Sequence, residues 1–176
     1  RNEEAMEAIE TARTLDPLNL VINTDKAMIL FTSHRDEEAF SQWRLTLELD
    51  PNFVLTHEHM AMAFGVVGDE AAAINELARV RELRGQASER IDSLQAVYQR
   101  ELDQMLAAEA RGEKASSVSI AVQYIGLGQR EKALSRIERA FREHAADVVI
   151  VRTSRQFDVL RDDTRLTDLY RKAGMI

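Results

Sequence analysis

The chain repeats itself with a period of about 34 residues, and this repetition restricts its fold more than any other feature of the sequence. Its two prolines both end a Leu-Asp-Pro tripeptide, at residues 15–17 and again at residues 49–51. Alanine lies ten positions before the leucine of each tripeptide, at Ala5 and at Ala39. A regular repeat of this length is typical of arrays in which one small supersecondary unit is stacked many times. We therefore expect an array of repeats and not a single globular core.

Two further copies of the pattern follow. Ala73 precedes Leu83 by ten positions, and Ala27 and Ala61 are again one period apart. The spacings within one set of residues then recur in a second set further along the chain. The first set is Ala61, Phe64, Gly68, Ala73, Leu77 and Val80, and the second is Ala121, Tyr124, Gly128, Ala133, Ile137 and Ala140. Because the shift from Ala61 to Ala121 is longer than one period and is not a multiple of it, we expect an inserted segment between these copies.

Each copy has the pattern of two consecutive helices. Apolar residues recur at helical spacing over residues 53–66 and 69–83. Gly68 is suited to the left-handed conformation that ends a helix, and Asp69 is suited to capping the next one. With only 2 prolines and 7 glycines in 176 residues, few positions interrupt the helices, and no strand is expected. A two-helix unit cannot bury its apolar face alone, so we expect it to stack on its neighbours.

This pattern resembles the tetratricopeptide repeat (TPR) family. The residues that carry the resemblance are Ala27, Leu30, Ala39, Trp43 and Pro51 in one copy, Ala61, Phe64, Gly68, Ala73 and Leu77 in the next, and Ala121, Tyr124, Gly128, Ala133 and Ala140 in the last. The resemblance implies an all-α fold, a right-handed solenoid of antiparallel helix pairs. The chain departs from the family at Asn23, His57 and Ser117, where tryptophan is usual, and at Lys26, where leucine is usual.

The repeat register divides the chain into segments. Residues 1–145 form the predicted TPR-like region: a half repeat at 1–17, repeats at 20–51, 54–85 and 114–145, and an irregular amphipathic helix at 86–112 with Ser88 as its cap. Ala5, Ile9, Ala12 and Pro17 resemble the second helix of a repeat whose first helix is expected before Arg1. The uncovered stripe of this helix predicts either an upstream partner helix or self-association. Residues 146–176 are predicted to be a helical cap that covers the last apolar face.

The C-terminal part also resembles the ends of repeat regions in multidomain bacterial signalling proteins. Residues 127–133, residues 157–166 and Leu169 carry this resemblance, and Thr164 departs from it because proline is usual there. Such regions follow winged-helix DNA-binding, nucleotide-cyclase or protein-kinase domains. The resemblance implies an alternative function, as the C-terminal sensory or regulatory domain of a larger bacterial signalling protein.

The sequence carries no recognisable catalytic, cofactor-binding or metal-binding motif. It has no cysteine, which excludes disulfides and thiolate ligands. Gly126-Leu127-Gly128 has the setting of a helix–helix turn and not of a phosphate loop, since no strand precedes it. His57 and His59 are two positions apart and point to different sides of a helix, whereas helical metal pairs use spacings of three or four. We therefore expect a protein that is not an enzyme and that uses no catalytic residues, cofactor or metal.

Charge is distributed unevenly along the chain. Residues 1–85 hold 8 basic and 16 acidic side chains, a net charge of −8, whereas residues 86–176 hold 15 and 14, a net charge of +1. An acidic protein is a poor ligand for nucleic acids, so we expect no direct binding to them. The N-terminal half is expected to attract basic partners; the alternative is that its acidity serves solubility only. Because no apolar run is long enough for a membrane span, we expect a soluble chain, cytoplasmic, or periplasmic if it belongs to a membrane-spanning regulator.

In TPR proteins the ligand-facing residues lie on the inner surface of the first helix of each repeat. Carried over by register, these positions are Val21, Thr24, Asp25, Met28, Leu55, Glu58, His59 and Met62. They lack the lysine, arginine and asparagine with which family members clamp a C-terminal carboxylate. They instead present an apolar, methionine-rich strip with Asp25 and Glu58 beside it, so the expected ligand is an apolar protein or peptide segment with basic flanks. The alternative is that the inserted helix or the tail fills this groove from within the same chain.

Overall fold

The computed structural model describes residues 2–86 and 90–176, and all regular secondary structure in these residues is helical. The all-α class predicted from the sequence is confirmed. Ser88, the predicted cap of the inserted helix, lies outside the described residues. The chain divides into two compact units, Arg1–Asp92 and Ser93–Ile176. In the described part of the chain, no helix combines the length and the apolar character that crossing a bilayer requires.

The N-terminal unit consists of one helix followed by two helix pairs. Its helices are α1 (Asn2–Leu15), α2 (Leu20–Thr32), α3 (Asp36–Leu49), α4 (Val54–Val67) and α5 (Glu70–Leu83). The most extensive packing is within the pairs α2–α3 and α4–α5, and α1 packs on α2. The first helices of the two pairs, α2 and α4, also pack against each other. The four helices α2 to α5 therefore form two neighbouring pairs that meet along α2 and α4.

Local sequence signals account for the ends of these helices. The predicted helices at 53–66 and 69–83 are observed within one residue of those bounds. Gly68 ends α4 with a positive φ of 87°, and the Asp69 side chain then accepts a hydrogen bond from the backbone N–H of Ala72. Asn19 caps α2 by accepting hydrogen bonds from two backbone N–H groups of its first turn. His34, with a φ of 58°, takes the left-handed position after α2 that Gly68 takes after α4.

The core of the N-terminal unit is built around a tryptophan. The Trp43 side chain is fully buried, with its ring centroid 5.8 Å from that of Phe31 and 5.5 Å from that of Phe40. Phe40 also stacks on Phe64 of α4, with 4.4 Å between the ring centroids. Ala27 is fully buried as well, so small residues lie in the helix interfaces where the repeat pattern places them.

The C-terminal unit begins with a long helix and ends with several short ones. Its elements are α6 (Leu94–Ala110), α7 (Ser117–Gly126), α8 (Arg130–Arg142), α9 (Val148–Thr153), a 3-10 helix (Arg155–Leu160) and α10 (Thr164–Lys172). The helix predicted over residues 86–112 is shorter than expected, because Ser93 caps it and Ile91 lies before its first turn. The pair α7–α8 packs together, with α6 against α7.

The tail of the chain belongs to the core of the C-terminal unit. Phe157, Leu160 and Leu166 are at most 1% exposed and join the same buried cluster as residues of α7 and α8. An ion pair at 2.8 Å joins Arg165 of the tail to Glu131 of α8, and Arg165 also pairs with Asp163 of the tail at 2.8 Å. The hydrogen bonds from Arg165 to Asp163 hold the pKa of the Asp163 carboxyl far below its usual range. The segment predicted to be a cap thus packs onto the α7–α8 pair.

Candidate functional site

The departures from the TPR pattern at Asn23 and His57 form equivalent polar networks in two successive helix pairs. In α2, the Asn23 side-chain amide donates to the carbonyl oxygen of Pro17 at 2.9 Å and accepts from Gln42 at 3.1 Å. In α4, the two ring nitrogens of His57 contact the carbonyl oxygen of Pro51 at 3.0 Å and the carboxylate of Glu76 at 2.6 Å. All three positions of the second network lie one repeat period after those of the first. Each network ties the first helix of a pair to the preceding turn and to the second helix of the same pair.

The departure at Lys26 also has a structural explanation. Its ammonium group lies 2.7 Å from the carboxylate of Glu10 on α1, and the Lys26 side chain is mostly buried. This contact, with a second one from Arg13, lowers the pKa of Glu10. The lysine therefore joins α2 to α1 through an ion pair at a position where leucine would make an apolar contact.

A hydroxyl pair joins α2 to α4 below their common surface. The Thr24 and Thr56 oxygens are 2.6 Å apart, and both side chains are fully buried. The Trp43 indole N–H donates to the backbone oxygen of Thr24 at 3.2 Å. Thr24 was predicted to face a ligand, and that prediction is wrong because the side chain is enclosed between the helices. Thr24 instead holds the two helices at a fixed separation.

The other seven predicted residues retain solvent exposure. On α2, Val21 is 48% exposed, Asp25 is exposed and Met28 is partly buried, at positions i, i+4 and i+7 along one side of the helix. On α4, Leu55, Glu58, His59 and Met62 are all partly buried. Asp25 and Glu58 both act electrostatically on His59, so residues of the two helices come together. We call these seven residues the α2–α4 face.

The two carboxylates of the α2–α4 face are in different states. Glu58 forms an ion pair with Arg84, which follows α5. Asp25 has no ion-pair partner among the residues that the structure describes. The charge of Glu58 is therefore already compensated within the unit. The Glu58–Arg84 contact joins residues of different helical segments, and no local sequence signal predicts it.

His59 is the titratable group at the centre of the α2–α4 face. Burial lowers its pKa below the ordinary value of 6.5, and the nearby carboxylates of Asp25 and Glu58 oppose this shift. Its ring lies 6.4 Å from that of Trp43 in an edge-to-face arrangement. The Nδ1 atom is buried and makes no hydrogen bond to any described residue. At neutral pH the imidazole is therefore uncharged and does not compensate Asp25.

The remaining candidates from the sequence are placed in structural roles. His57 is buried in its network, whereas His59 packs against Trp43, so the two histidines share no ligand. Within residues 2–86 and 90–176, no three histidine, aspartate or glutamate side chains are grouped so as to hold a metal ion. A cleft of about 500 Å³ lies between α8 and α10, lined by Phe141, Leu169 and charged side chains of both signs. Its mixed charge indicates no particular ligand.

Comparisons with known proteins do not assign the chain to a family. No protein-family model matches it, and no curated protein shows significant sequence similarity to it. The functional conclusion therefore depends on the repeat pattern and on the geometry of the α2–α4 face.

Proposed function

We propose that this chain is a non-enzymatic interaction module of TPR-like repeats, which binds an apolar segment of a partner protein across the α2–α4 face. The observation that carries the proposal is a row of exposed or partly exposed apolar side chains on the two helices joined by the Thr24–Thr56 contact. Val21 and Met28 are the members of this row on α2, and Leu55 and Met62 are its members on α4. Methionine side chains are flexible and polarizable, so they adapt to apolar partners of different shape.

The repeated networks support a TPR-like stacking of the two pairs. Asn23 and His57 occupy equivalent positions one period apart and make equivalent contacts to Pro17 and Pro51. Equivalent contacts in successive pairs are expected when one supersecondary unit is stacked repeatedly. In such an array the first helices of adjacent pairs line one common surface, and the packing of α2 against α4 supports this arrangement.

A second candidate function is that of a C-terminal regulatory domain in a larger bacterial signalling protein. Phe157 and Leu166, which belong to the motif of that resemblance, are buried in the core of the C-terminal unit. A motif that closes a repeat region must be buried in this way, which favours the resemblance. The coding sequence upstream of Arg1 tests this candidate, because it either contains an output domain or does not.

Selection of short random peptides displayed on phage, with the chain as the target, tests the interaction function. Selected peptides are synthesised with a fluorescent label, and their affinity is measured by anisotropy. We expect Met28→Glu combined with Met62→Glu to abolish binding, because a carboxylate would be desolvated beneath an apolar ligand. Both methionines also contact the core, so circular dichroism must show that the double variant is folded.

If the double variant unfolds, a single substitution at an exposed position still tests binding at this face. Val21→Lys changes a side chain that is 48% exposed, and we expect about a tenfold loss of affinity. Leu45→Lys on α3 is the matched control, because Leu45 is 50% exposed and lies outside the α2–α4 face. Equal affinities of the wild type and Val21→Lys, or equal losses in Val21→Lys and Leu45→Lys, would refute binding at this face. Failure to select any peptide would also refute it.

A further inference from the structure

We propose that the α2–α4 face recognises one cationic side chain of the bound segment, at Asp25, and that Glu58 takes no part in this recognition. The subsite exists only if the face binds a segment, as proposed above. The sequence pattern predicts two equivalent acidic anchors and hence basic residues on both flanks of the ligand. The structure distinguishes the anchors, because only one of them keeps an uncompensated charge.

The charges around Glu58 cancel without a ligand. Glu58 is two-thirds buried at the side chain, and it is paired with the guanidinium of Arg84. A cationic ligand group would have to displace Arg84, and it would exchange one ion pair for another of the same kind. The net electrostatic gain from such an exchange is small. Binding of a cation at Glu58 is therefore disfavoured relative to binding at a free carboxylate.

Asp25 offers such a carboxylate within the apolar row. It lies four positions after Val21 and three before Met28, so all three share one side of α2. A ligand that covers Val21 and Met28 necessarily covers Asp25, and it would bury this carboxylate without a partner unless it supplies a cation. Leaving a charge desolvated and unpaired is costly, so an uncharged ligand is penalised at this position. The ligand is accordingly an apolar segment of a partner protein with one central lysine or arginine.

The neighbours of Asp25 maintain this negative potential. Two carboxylates act on His59, that of Asp25 on α2 and that of Glu58 on α4. Arg84, the residue after α5, is paired with Glu58, and the uncharged Trp43 of α3 lies next to the His59 ring. Among the described residues near His59, the charge of Glu58 is offset by Arg84, so Asp25 provides the main uncompensated charge. Protonation of His59 would offset that charge and repel the ligand cation.

The experiment uses the selected peptides in four forms: unchanged, with the basic residue replaced by glutamine, with lysine and arginine exchanged, and with an acetylated N-terminus. At low ionic strength we expect Asp25→Asn to weaken the unchanged peptide about fivefold and to leave the glutamine form unaffected. Glu48→Gln, which removes an exposed carboxylate of α3, is the matched control and should change the affinity less than twofold. Loss of the effect upon acetylation would identify the amino terminus of the peptide as the cation instead, and this would overturn a side-chain subsite.

Two further variants separate Asp25 from Glu58 and test the role of His59. Glu58→Gln combined with Arg84→Gln keeps the net charge constant, and we expect it to change the affinities of the unchanged and the glutamine peptides by the same factor; a loss confined to the unchanged peptide, as expected for Asp25→Asn, would overturn the assignment. Wild-type affinity should fall as the pH is lowered from 6.5 towards the pKa of His59, and His59→Gln should remove most of that decrease. If peptides bind and Val21→Lys weakens binding as proposed, yet Asp25→Asn has no effect, the cation subsite fails while the interaction function stands.

Discussion

The close approach of α6 to α7 predicts that replacing Gly126 by alanine destabilises the protein, although the same replacement within a helix usually stabilises it. Gly126 is the last residue of α7, and a Cβ atom added to it would lie 2.4 Å from Cδ2 and 2.5 Å from Cγ of the Tyr98 ring. Replacement of a helical glycine by alanine normally stabilises a protein by about 0.5–1 kcal/mol. Here Cγ, the ring atom bonded to Cβ of Tyr98, is also too close to the added Cβ of residue 126. The whole Tyr98 side chain must therefore rotate, or the two helices must separate.

The expected change in the free energy of unfolding is the difference between these two opposing effects. Overpacking of an interior contact costs about 1–3 kcal/mol, and the gain in helix propensity offsets up to about 1 kcal/mol of that cost. We therefore expect Gly126→Ala to lower the free energy of unfolding by about 1–2 kcal/mol. In a Tyr98→Ala background the obstacle is absent, and the same substitution should raise the free energy of unfolding by about 0.5–1 kcal/mol.

Urea denaturation followed by far-ultraviolet circular dichroism measures these changes in the helices of both units. Trp43, the one tryptophan of the chain, lies in the N-terminal unit, so its fluorescence reports on that unit separately. The Gly126→Ala effect should be seen in the part of the dichroism transition that belongs to the C-terminal unit. Wild-type or increased stability of Gly126→Ala, or the same sign of effect in both backgrounds, would refute the packing argument.

Further substitutions test the repeat packing and the titration of the site. Ala121→Trp and Ala61→Trp, at positions with at most 5% exposure, should each destabilise the chain by about 1–3 kcal/mol through overpacking, as measured by urea denaturation. His57→Asn should destabilise by about 1–3 kcal/mol because the Asn oxygen would face the carboxylate of Glu76, and adding Glu76→Gln should recover most of the loss. Because the pKa of His59 is lowered in the folded chain, the unfolded chain binds the proton more tightly. The free energy of unfolding should therefore fall as the pH drops below 6.5 towards the folded-state pKa. His59→Gln should remove this decrease.

Helix boundaries were predictable where the signal lies within a few neighbouring residues. Gly68 followed by Asp69 permits only one location for the turn between α4 and α5, and the observed bounds agree with it. The start of α6 was not predictable, because Ser88 and Ser93 are both suitable caps that precede apolar residues. Local preference does not distinguish two such serines, and the described chain uses Ser93.

The exposure of the site was predictable in part, and its charge was not. The register of the resemblance assigned Val21, Asp25 and Met28 to the ligand-facing side of α2, and these three side chains retain solvent exposure. It did not reveal that Thr24 is enclosed against Thr56, because a threonine is compatible with either environment. The pairing of Glu58 with Arg84 depends on where α5 ends relative to the middle of α4. The relative position of these two residues is set by how α4 and α5 pack, so the residue pattern of either helix alone does not reveal it.

The two buried networks also explain how an array of similar helices keeps its pairing. Asn23 presents an oxygen to Gln42, which donates to it, whereas His57 presents a ring nitrogen to the carboxylate of Glu76. If α2 were paired with α5, the oxygen of Asn23 would face the carboxylate of Glu76, and two acceptors would be buried against each other. Such a contact costs about 1–3 kcal/mol, which an apolar tryptophan at the same position would not impose. The polar departures from the TPR pattern therefore favour the correct helix pairs over a shift by one repeat.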